Sequence, residues 1–282
     1  MEPTTDLAVL REWIGRSESL SATIRVGPAN FMEMTLDRDP ALRPGDALPP
    51  LWHWLYFLQS AKLGELGRDG HPARGGFLPP VALPRRMWAG GRFGFLAPLP
   101  IGASATKTST IKDVALKQGR SGALCFVTVR HEVSTGAGPA LWEEHDIVYR
   151  EDPGPGDKSP SPPAASTGWD VTETVTPSEV MLFRYSALTF NGHRIHYDRD
   201  YARDVEGHEG LVVHGPLIAT LLADLALQFT PGRALKGFAF RAVSPCFDDQ
   251  PITLNMKSAG SSVMLAAART DGGLAMTATA EF

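Results

Sequence analysis

Two similar series of apolar positions run along this chain, each a helix-like block followed by alternating, strand-like runs. In the first, residues 7–15 form a short amphipathic pattern with Asp6 placed as its N-cap, 21–26 read as a strand and 28–36 as a second helix. Leu51, Leu55 and Leu58 recur at i, i+4 and i+7 and predict a helix over 51–64. Trp52, Trp54, Tyr56 and Phe57 make that helix apolar almost all round, hence buried on several sides. Residues 103–113, 122–134 and 141–150 alternate or concentrate β-branched side chains and predict a three-strand meander. The second series repeats the theme. It has a strand at 170–175, a short β-friendly run opening at Phe183, and a mostly apolar helix at 216–229. Strands follow at 234–242, 251–258, 262–270 and 274–282. Residues 64–102 are too dense in Gly and Pro for a long helix or a central strand, and should form a long irregular excursion.

Residues 151–167 are rich in Pro, Gly and Ser with nothing apolar to bury, which describes an exposed, semi-extended linker. The expected organisation is an N-terminal domain over 1–150, a linker over 151–168 and a C-terminal domain over 169–282. The class is α+β, one buried helix wrapped by an antiparallel sheet, twice over.

Composition narrows the function classes. Hydrophobic residues make up 43% of the 282 and charged residues 21%, enough for an ordinary core and against wholesale disorder. A formal net charge of −4 argues against a dedicated nucleic-acid binder while leaving room for a local basic pocket. Cys125 and Cys246 are too few and too far apart for a disulfide framework or a paired-cysteine metal knuckle, and read as reduced thiols of a cytoplasmic protein. The first residues lack the basic-then-apolar order of a signal peptide. No run approaches the roughly 18 apolar residues of a membrane span.

Chemistry concentrates between Phe183 and Pro216, which hold four of the eight histidines: His193, His196, His208 and His214. His193 and His196 stand in H-x-x-H spacing, and Asp198 or Glu206 would serve as a third zinc ligand. That spacing is no known zinc signature, so no metal is expected. Tyr197 and Asp198 read as loop architecture, and His208 as a solvated residue of a polar turn. The loop runs directly into the start of an apolar helix at Gly215-Pro216, where free backbone N–H groups favour negative charge.

Several longer stretches carry a resemblance. WHWLYF (52–57), GGFLPP (75–80), PRRMWAGG (84–91), TFNGHRIHYDRDYA (189–202) and LVVHGPL (211–217) together resemble the hydroxyacyl-thioester dehydratases of the double hot-dog type. Within these the chain is most similar to the mesaconyl-C4-CoA (3-methylfumaryl-CoA) hydratases. The resemblance covers nearly the whole chain and implies two fused hot-dog folds, with the hydratase motif kept in the C-terminal half and lost from the N-terminal half. It also implies reversible hydration of an α,β-unsaturated acyl-CoA, mesaconyl-C4-CoA to citramalyl-CoA. No cofactor is needed beyond the coenzyme A of the substrate, and a homodimer is expected.

The wider MaoC-like hydratases carry D-x-N-P-x-H, and the matching segment here is Asn191-Gly192-His193-Arg194-Ile195-His196. The histidine is kept as His196, but Asn191 stands at the aspartate position, His193 at the asparagine position and Arg194 at the proline position. An amide exchanges no proton at neutral pH, so the family's two-group acid–base scheme does not transfer intact. The expectation is that His196 acts as base, Asn191 orients the water and the Gly215 N–H holds charge on the thioester oxygen. Pro216 fits the first helical position. His193, Arg184 and Arg194 lie nearest the motif for a free carboxylate. Arg85, Arg86, Arg184 and Arg241 are candidates for the phosphates of coenzyme A. His214 orients the loop or touches substrate. Two other readings stay open: a 3-hydroxyacyl-CoA or -ACP dehydratase of fatty acyl chains, with residues 51–58 lining an acyl tunnel, and an acyl-thioester-binding module without catalysis.

Overall fold

The computed structural model describes residues 3–72, 76–119, 122–152 and 161–282. Gly75, the tip of the turn at 120–121 and the middle of the expected linker at 153–160 lie outside the described residues. In chain order the elements are α1 (Leu7–Arg11), β1 (Ser17–Thr23), α2 (Val26–Thr35), a 3-10 turn (Trp52–Leu55), β2 (Arg85–Phe95), β3 (Ser104–Gly119), β4 (Gly122–Thr135) and β5 (Gly138–Arg150). Then come β6 (Val171–Val175), α3 (Glu179–Thr189), α4 (Gly215–Gln228), β7 (Gly237–Ala242), β8 (Ile252–Ala259), β9 (Ser262–Arg269) and β10 (Leu274–Glu281).

All ten strands join one antiparallel sheet in the order β1-β3-β4-β5-β2-β7-β10-β9-β8-β6. Read inward from either edge, the two sets of five follow the same sequence, so the halves repeat one another and meet at β2 and β7. Their register runs from Gly90 opposite Arg241 to Gly94 opposite Gly237. This junction corrects the expectation of an irregular excursion through 64–102: β2 lies inside that segment and is central to the sheet. Its glycines make room instead of breaking the strand. A Cβ on Gly90 would lie 2.6 Å from the Phe240 carbonyl oxygen, and one on Gly94 would lie 2.3 Å from the Trp142 indole nitrogen.

The helices differ from expectation in two places. The β-friendly run at Phe183 is helix α3. Ser178 caps it, its hydroxyl accepting from the Met181 amide at 3.2 Å, with Glu179 in the first turn and Phe190 closing the helix in the left-handed region at φ 52°. These capping signals outweigh local strand propensity. The helix expected over 51–64 shrinks to the single turn Trp52–Leu55, bounded by Leu51 at φ 70° and Phe57 at φ 53°. Leucine spacing alone suggested a helix, but the backbone instead bends to bury Leu51, Trp52, Leu55 and Phe57 in different directions. The corresponding helix of the second half, α4, is intact. It is buried nearly all round against β7 to β10, with Leu217, Ala219, Leu222 and Ala223 fully enclosed.

Where the first half lacks its helix, the sheet presents polar side chains. Cross-strand neighbours His131 and Glu143, and Val129 and His145, place two histidines and a carboxylate on one face of β4 and β5. Glu143 accepts from His53 Nε2 at 2.9 Å and from Trp54 Nε1 at 3.1 Å, so two neighbouring donors of the short turn end on one buried carboxylate. His131 pairs with the Ser109 hydroxyl at 2.7 Å, and His145 lies over Trp88 with ring centres 3.8 Å apart. Burial works to raise the Glu143 carboxyl, but the His53 hydrogen bond and charge outweigh it and hold it at about 2 against an ordinary 4.5. This carboxylate therefore stabilises the fold above pH 4.5 and loses that contribution as pH falls towards 2. His53 and Trp54 both converge on Glu143 Oε2, so Glu143→Gln keeps an acceptor for them but removes its charge, and should cost about 2 kcal/mol in urea unfolding at neutral pH. It should also flatten the acid dependence of stability below pH 4.5. Unchanged unfolding would show that the clamp carries no weight.

Candidate active site

A cavity of about 1010 Å³ runs between the His-rich loop of the second half and the polar face of the first. Three chain segments shape its catalytic end. The first is the loop after α3. Its Asn191 amide returns to the Ser186 carbonyl at 2.8 Å, and its Asn191 Oδ1 accepts from the His193 amide at 3.0 Å. The side chain thus folds its own loop into an Asx turn and leaves Nδ2 as the group able to donate elsewhere.

The second segment is the short turn Arg194–His196. The His196 imidazole is buried, and its Nδ1–H donates to the Val212 carbonyl at 2.6 Å, while the Val212 amide donates back to Ile195 at 2.9 Å. This pairing selects the tautomer with an unprotonated Nε2. Burial, and then the nearby His214 and His193, hold His196 well below its usual range, so the ring is neutral, with Nε2 left free to accept a proton. His214 stacks on it at 3.7 Å and 19°, and its own Nε2 engages the Ser186 hydroxyl of α3 at 2.8 Å. The start of α4 follows at once. Gly215 is its first residue and Pro216 its second, and the Ile218 amide is the one that returns to the His214 carbonyl at 3.2 Å. The Gly215 N–H belongs to the first turn, where helix geometry supplies no acceptor. A Cβ on Gly215 would meet nothing nearer than the Met276 methyl at 4.0 Å.

The third segment, residues 68–72, gave no signal in the sequence beyond its length. The Asp69 carbonyl accepts from the Arg194 amide at 2.9 Å, and the Arg68 carbonyl accepts from the Arg194 guanidinium at 3.2 Å. Gly70, at φ 86°, passes so close to Gly192 that a Cβ would lie 1.9 Å from the Gly192 oxygen. This contact brings His71 within 4.3 Å of His193, ring to ring, with His71 Nδ1 donating to Asp69 at 3.0 Å. Burial holds His71 down at about 4. The donor atoms of Asp69, His71 and His193 lie within 4.8 Å of one another, a metal-like spacing, but the Asp69–His71 pair is already satisfied by its own hydrogen bond.

The sequence-derived site residues separate into two groups. Asn191, His193, His196, Gly215, Arg85 and Arg86 line the cavity, and His214 supports His196 from behind. Arg184, Arg194 and Arg241 are not among the lining residues. Arg184 donates to the Met34 carbonyl at 3.4 Å across a separate groove, Arg194 pairs with Asp198 at 2.7 Å, and Arg241 sits on β7 opposite Thr277. Arg85 is bound to Glu206, which also faces His193 at 4.0 Å. Burial works to raise the Glu206 carboxyl, yet His193 and Arg85 hold it at about 2. His208 is half-buried beside this pair and is pushed down to about 4 by burial and then by Arg85, where a solvated residue was expected. Sequence reasoning missed His53, His131, Glu143 and His145. Their signal was the polar side chains that repeat on alternate positions of otherwise apolar strands.

The family model for hydroxyacyl-thioester dehydratase type 2 matches residues 51–248. The chain is 46% identical over 271 residues to the mesaconyl-C(4)-CoA hydratase of Chloroflexus aurantiacus, covering 95% of this chain and 96% of the relative. It is 27% identical to the mitochondrial hydroxyacyl-thioester dehydratase type 2 of Schizosaccharomyces pombe, covering 76% of this chain and 79% of that one. Among solved structures, a MaoC-like dehydratase from Phytophthora capsici superposes with a TM-score of 0.73 at 14% identity, covering 99% of this chain and 98% of that one. A Mycobacterium tuberculosis protein described as a double hot-dog fold superposes at 0.60 and 10% identity, covering 95% and 96%. The fold is thus the α+β double hot-dog. The His196 imidazole resonances should titrate well below pH 6.5 in the folded protein. Titration at 6.5 in the folded protein would contradict a buried, carbonyl-bound ring.

Proposed function

We propose, from the premise that this chain belongs to the hydroxyacyl-thioester dehydratase type 2 family, that its substrate is a dicarboxylic enoyl-CoA, mesaconyl-C4-CoA, which it hydrates reversibly to citramalyl-CoA. The chain is a hydro-lyase that adds water to an enoyl-CoA thioester. The observation that carries the mechanism is the pinned tautomer of His196 beside the start of α4. With the thioester oxygen at the Gly215 N–H, His196 Nε2 accepts a proton from water as the water oxygen bonds to Cβ. The double-bond electrons pass through Cα to the thioester oxygen, where the backbone donor and the helix dipole hold the charge. The enolate then collapses and takes the proton from Nε2 at Cα. Nothing is oxidised or reduced, and one imidazole serves both steps, so no second carboxyl group is required. Asn191 Nδ2 donates to the water and aims its free lone pair at Cβ.

Two features support the dicarboxylic substrate over a fatty acyl chain. One is the identity to the Chloroflexus aurantiacus hydratase. The other is the cavity wall, where the polar groups of His131, His145 and Lys107 stand in place of the wholly apolar lining that an aliphatic tail favours. The reading uses no cofactor beyond the coenzyme A of the substrate and places the enzyme in the cytoplasm, in keeping with two free buried cysteines and no membrane-spanning helix among the described residues. It also pairs two copies into a homodimer, for which the short edge strands β1 and β6 are available.

Loss of enoyl-thioester absorbance on mixing with mesaconyl-C4-CoA, and little with crotonyl-CoA, is the expected result. Faster loss with crotonyl-CoA would point to fatty acyl substrates, and none with either would leave a binding module. His196→Ala should lower kcat by at least about 100-fold, and turnover at the wild-type rate would refute the assignment. Gly215→Ala should melt like the wild type, since the protein leaves room for the methyl, yet lose turnover because that methyl takes up cavity space beside the N–H assigned to the thioester oxygen.

A further inference from the structure

The basic groups of the cavity are balanced unequally. Arg85 is bound to Glu206, and Arg150, its cross-strand neighbour, shares the field of the same carboxylate. Lys107 donates to the Phe57 carbonyl at 3.4 Å and is compensated by Glu143. Arg86 has no carboxylate partner among the described residues, although it is half-buried on the cavity wall. It lines the cavity together with His71 and His145, and after burial its charge is among those that lower both imidazoles. Asp69, the carboxylate nearest His71, is spent on His71 Nδ1 and is not among the residues lining the cavity.

A chemical constraint selects what fills this gap. In mesaconyl-C4-CoA the free carboxylate is bonded to Cβ, the carbon that water attacks, and lies trans to the thioester. Its receptor must therefore stand at the catalytic end of the cavity, opposite Gly215. His71 lies 4.3 Å from His193, which lies 5.4 Å from His196, so the wall shared by His71 and Arg86 is at that end. Arg184 and Arg194 are outside the cavity, the one on a separate groove and the other paired with Asp198.

We infer that Arg86 is the specificity-determining residue that binds the free carboxylate on the substrate's β-carbon, so that its charge selects dicarboxylic over neutral enoyl-CoA. The planar guanidinium matches both carboxylate oxygens. Neutralising that carboxylate also relieves the repulsion it would exert on the incoming water oxygen, so the contact serves the reaction as well as binding. A phosphate of coenzyme A is a poorer fit, because Arg86 sits on the inner face of a strand beside Trp88 and His145. The inference rests on the dicarboxylic reading above, and it can fail separately from it.

Succinyl-CoA and butyryl-CoA form the discriminating pair: both are saturated and unreactive towards hydration, and they differ in bearing a carboxylate or a methyl at Cβ. Calorimetric titration of the wild type should show tighter binding of succinyl-CoA. Arg86→Gln should weaken succinyl-CoA roughly 100-fold while leaving butyryl-CoA within about threefold, which also shows that the variant is folded. Arg86→Lys should recover part of the loss, being a charge without the fork. Equal weakening of both ligands, or of neither, overturns the assignment of Arg86. A wild type that hydrates crotonyl-CoA but not mesaconyl-C4-CoA overturns the dicarboxylic reading, and the role of Arg86 with it.

Discussion

A carboxylate with almost no access to solvent keeps its charge only if donors surround it, and Glu143 takes both of its donors from a stretch of chain that would otherwise be a helix. His53 and Trp54 can reach it together because Trp52–Leu55 is one tight turn. The clamp explains how the first half tolerates the loss of its central helix. The volume a helix would have filled remains as cavity, and the strands behind it show polar faces where the second half shows apolar ones.

The catalytic end is assembled by the same logic, with buried polar groups pairing locally so that few are left over. Val212 accepts from His196 Nδ1, Ser186 engages His214 Nε2 while His214 Nδ1 stays without a partner, Asp69 accepts from His71 Nδ1, and Arg85 pairs with Glu206. Each pairing fixes an orientation, and those that engage Nδ1 leave Nε2 for chemistry. The cost of this burial is that any imidazolium formed is poorly solvated. A base in such a place holds its proton briefly and returns it nearby, which suits addition of water across a double bond by one residue on one face.

Strong periodicities in the chain translated directly into structure. The apolar helix at α4 and the alternating strands β3 to β5 and β7 to β10 follow from the 3.6- and 2-residue repeats, because tertiary burial and local pattern agree there. The dense His loop also proved to border the cavity. Disagreement arose where local and tertiary demands diverge. Glycines at 90, 91 and 94 look like breakers along the chain but are spacers across the sheet, a fact visible only once Phe240 and Trp142 are opposite them. The leucine spacing at 51–58 is genuinely helical and is overridden by two positive φ angles and by Glu143, some ninety positions away. His71 could not be linked to His193 by any sequence spacing, since only the Gly70–Gly192 approach joins their loops.

The repeated strand order has a consequence for how such a site can change. Were the two halves identical copies, each substitution would occur twice, and any residue altered to suit a new substrate would be altered again beside a second catalytic loop. Here a single covalent chain carries both halves, joined through β2 and β7. One half can therefore drift in chemistry while the other holds still. The wall bearing Arg86 and His145 is free to vary independently of Asn191, His196 and Gly215, which separates the inheritance of substrate choice from the inheritance of the reaction.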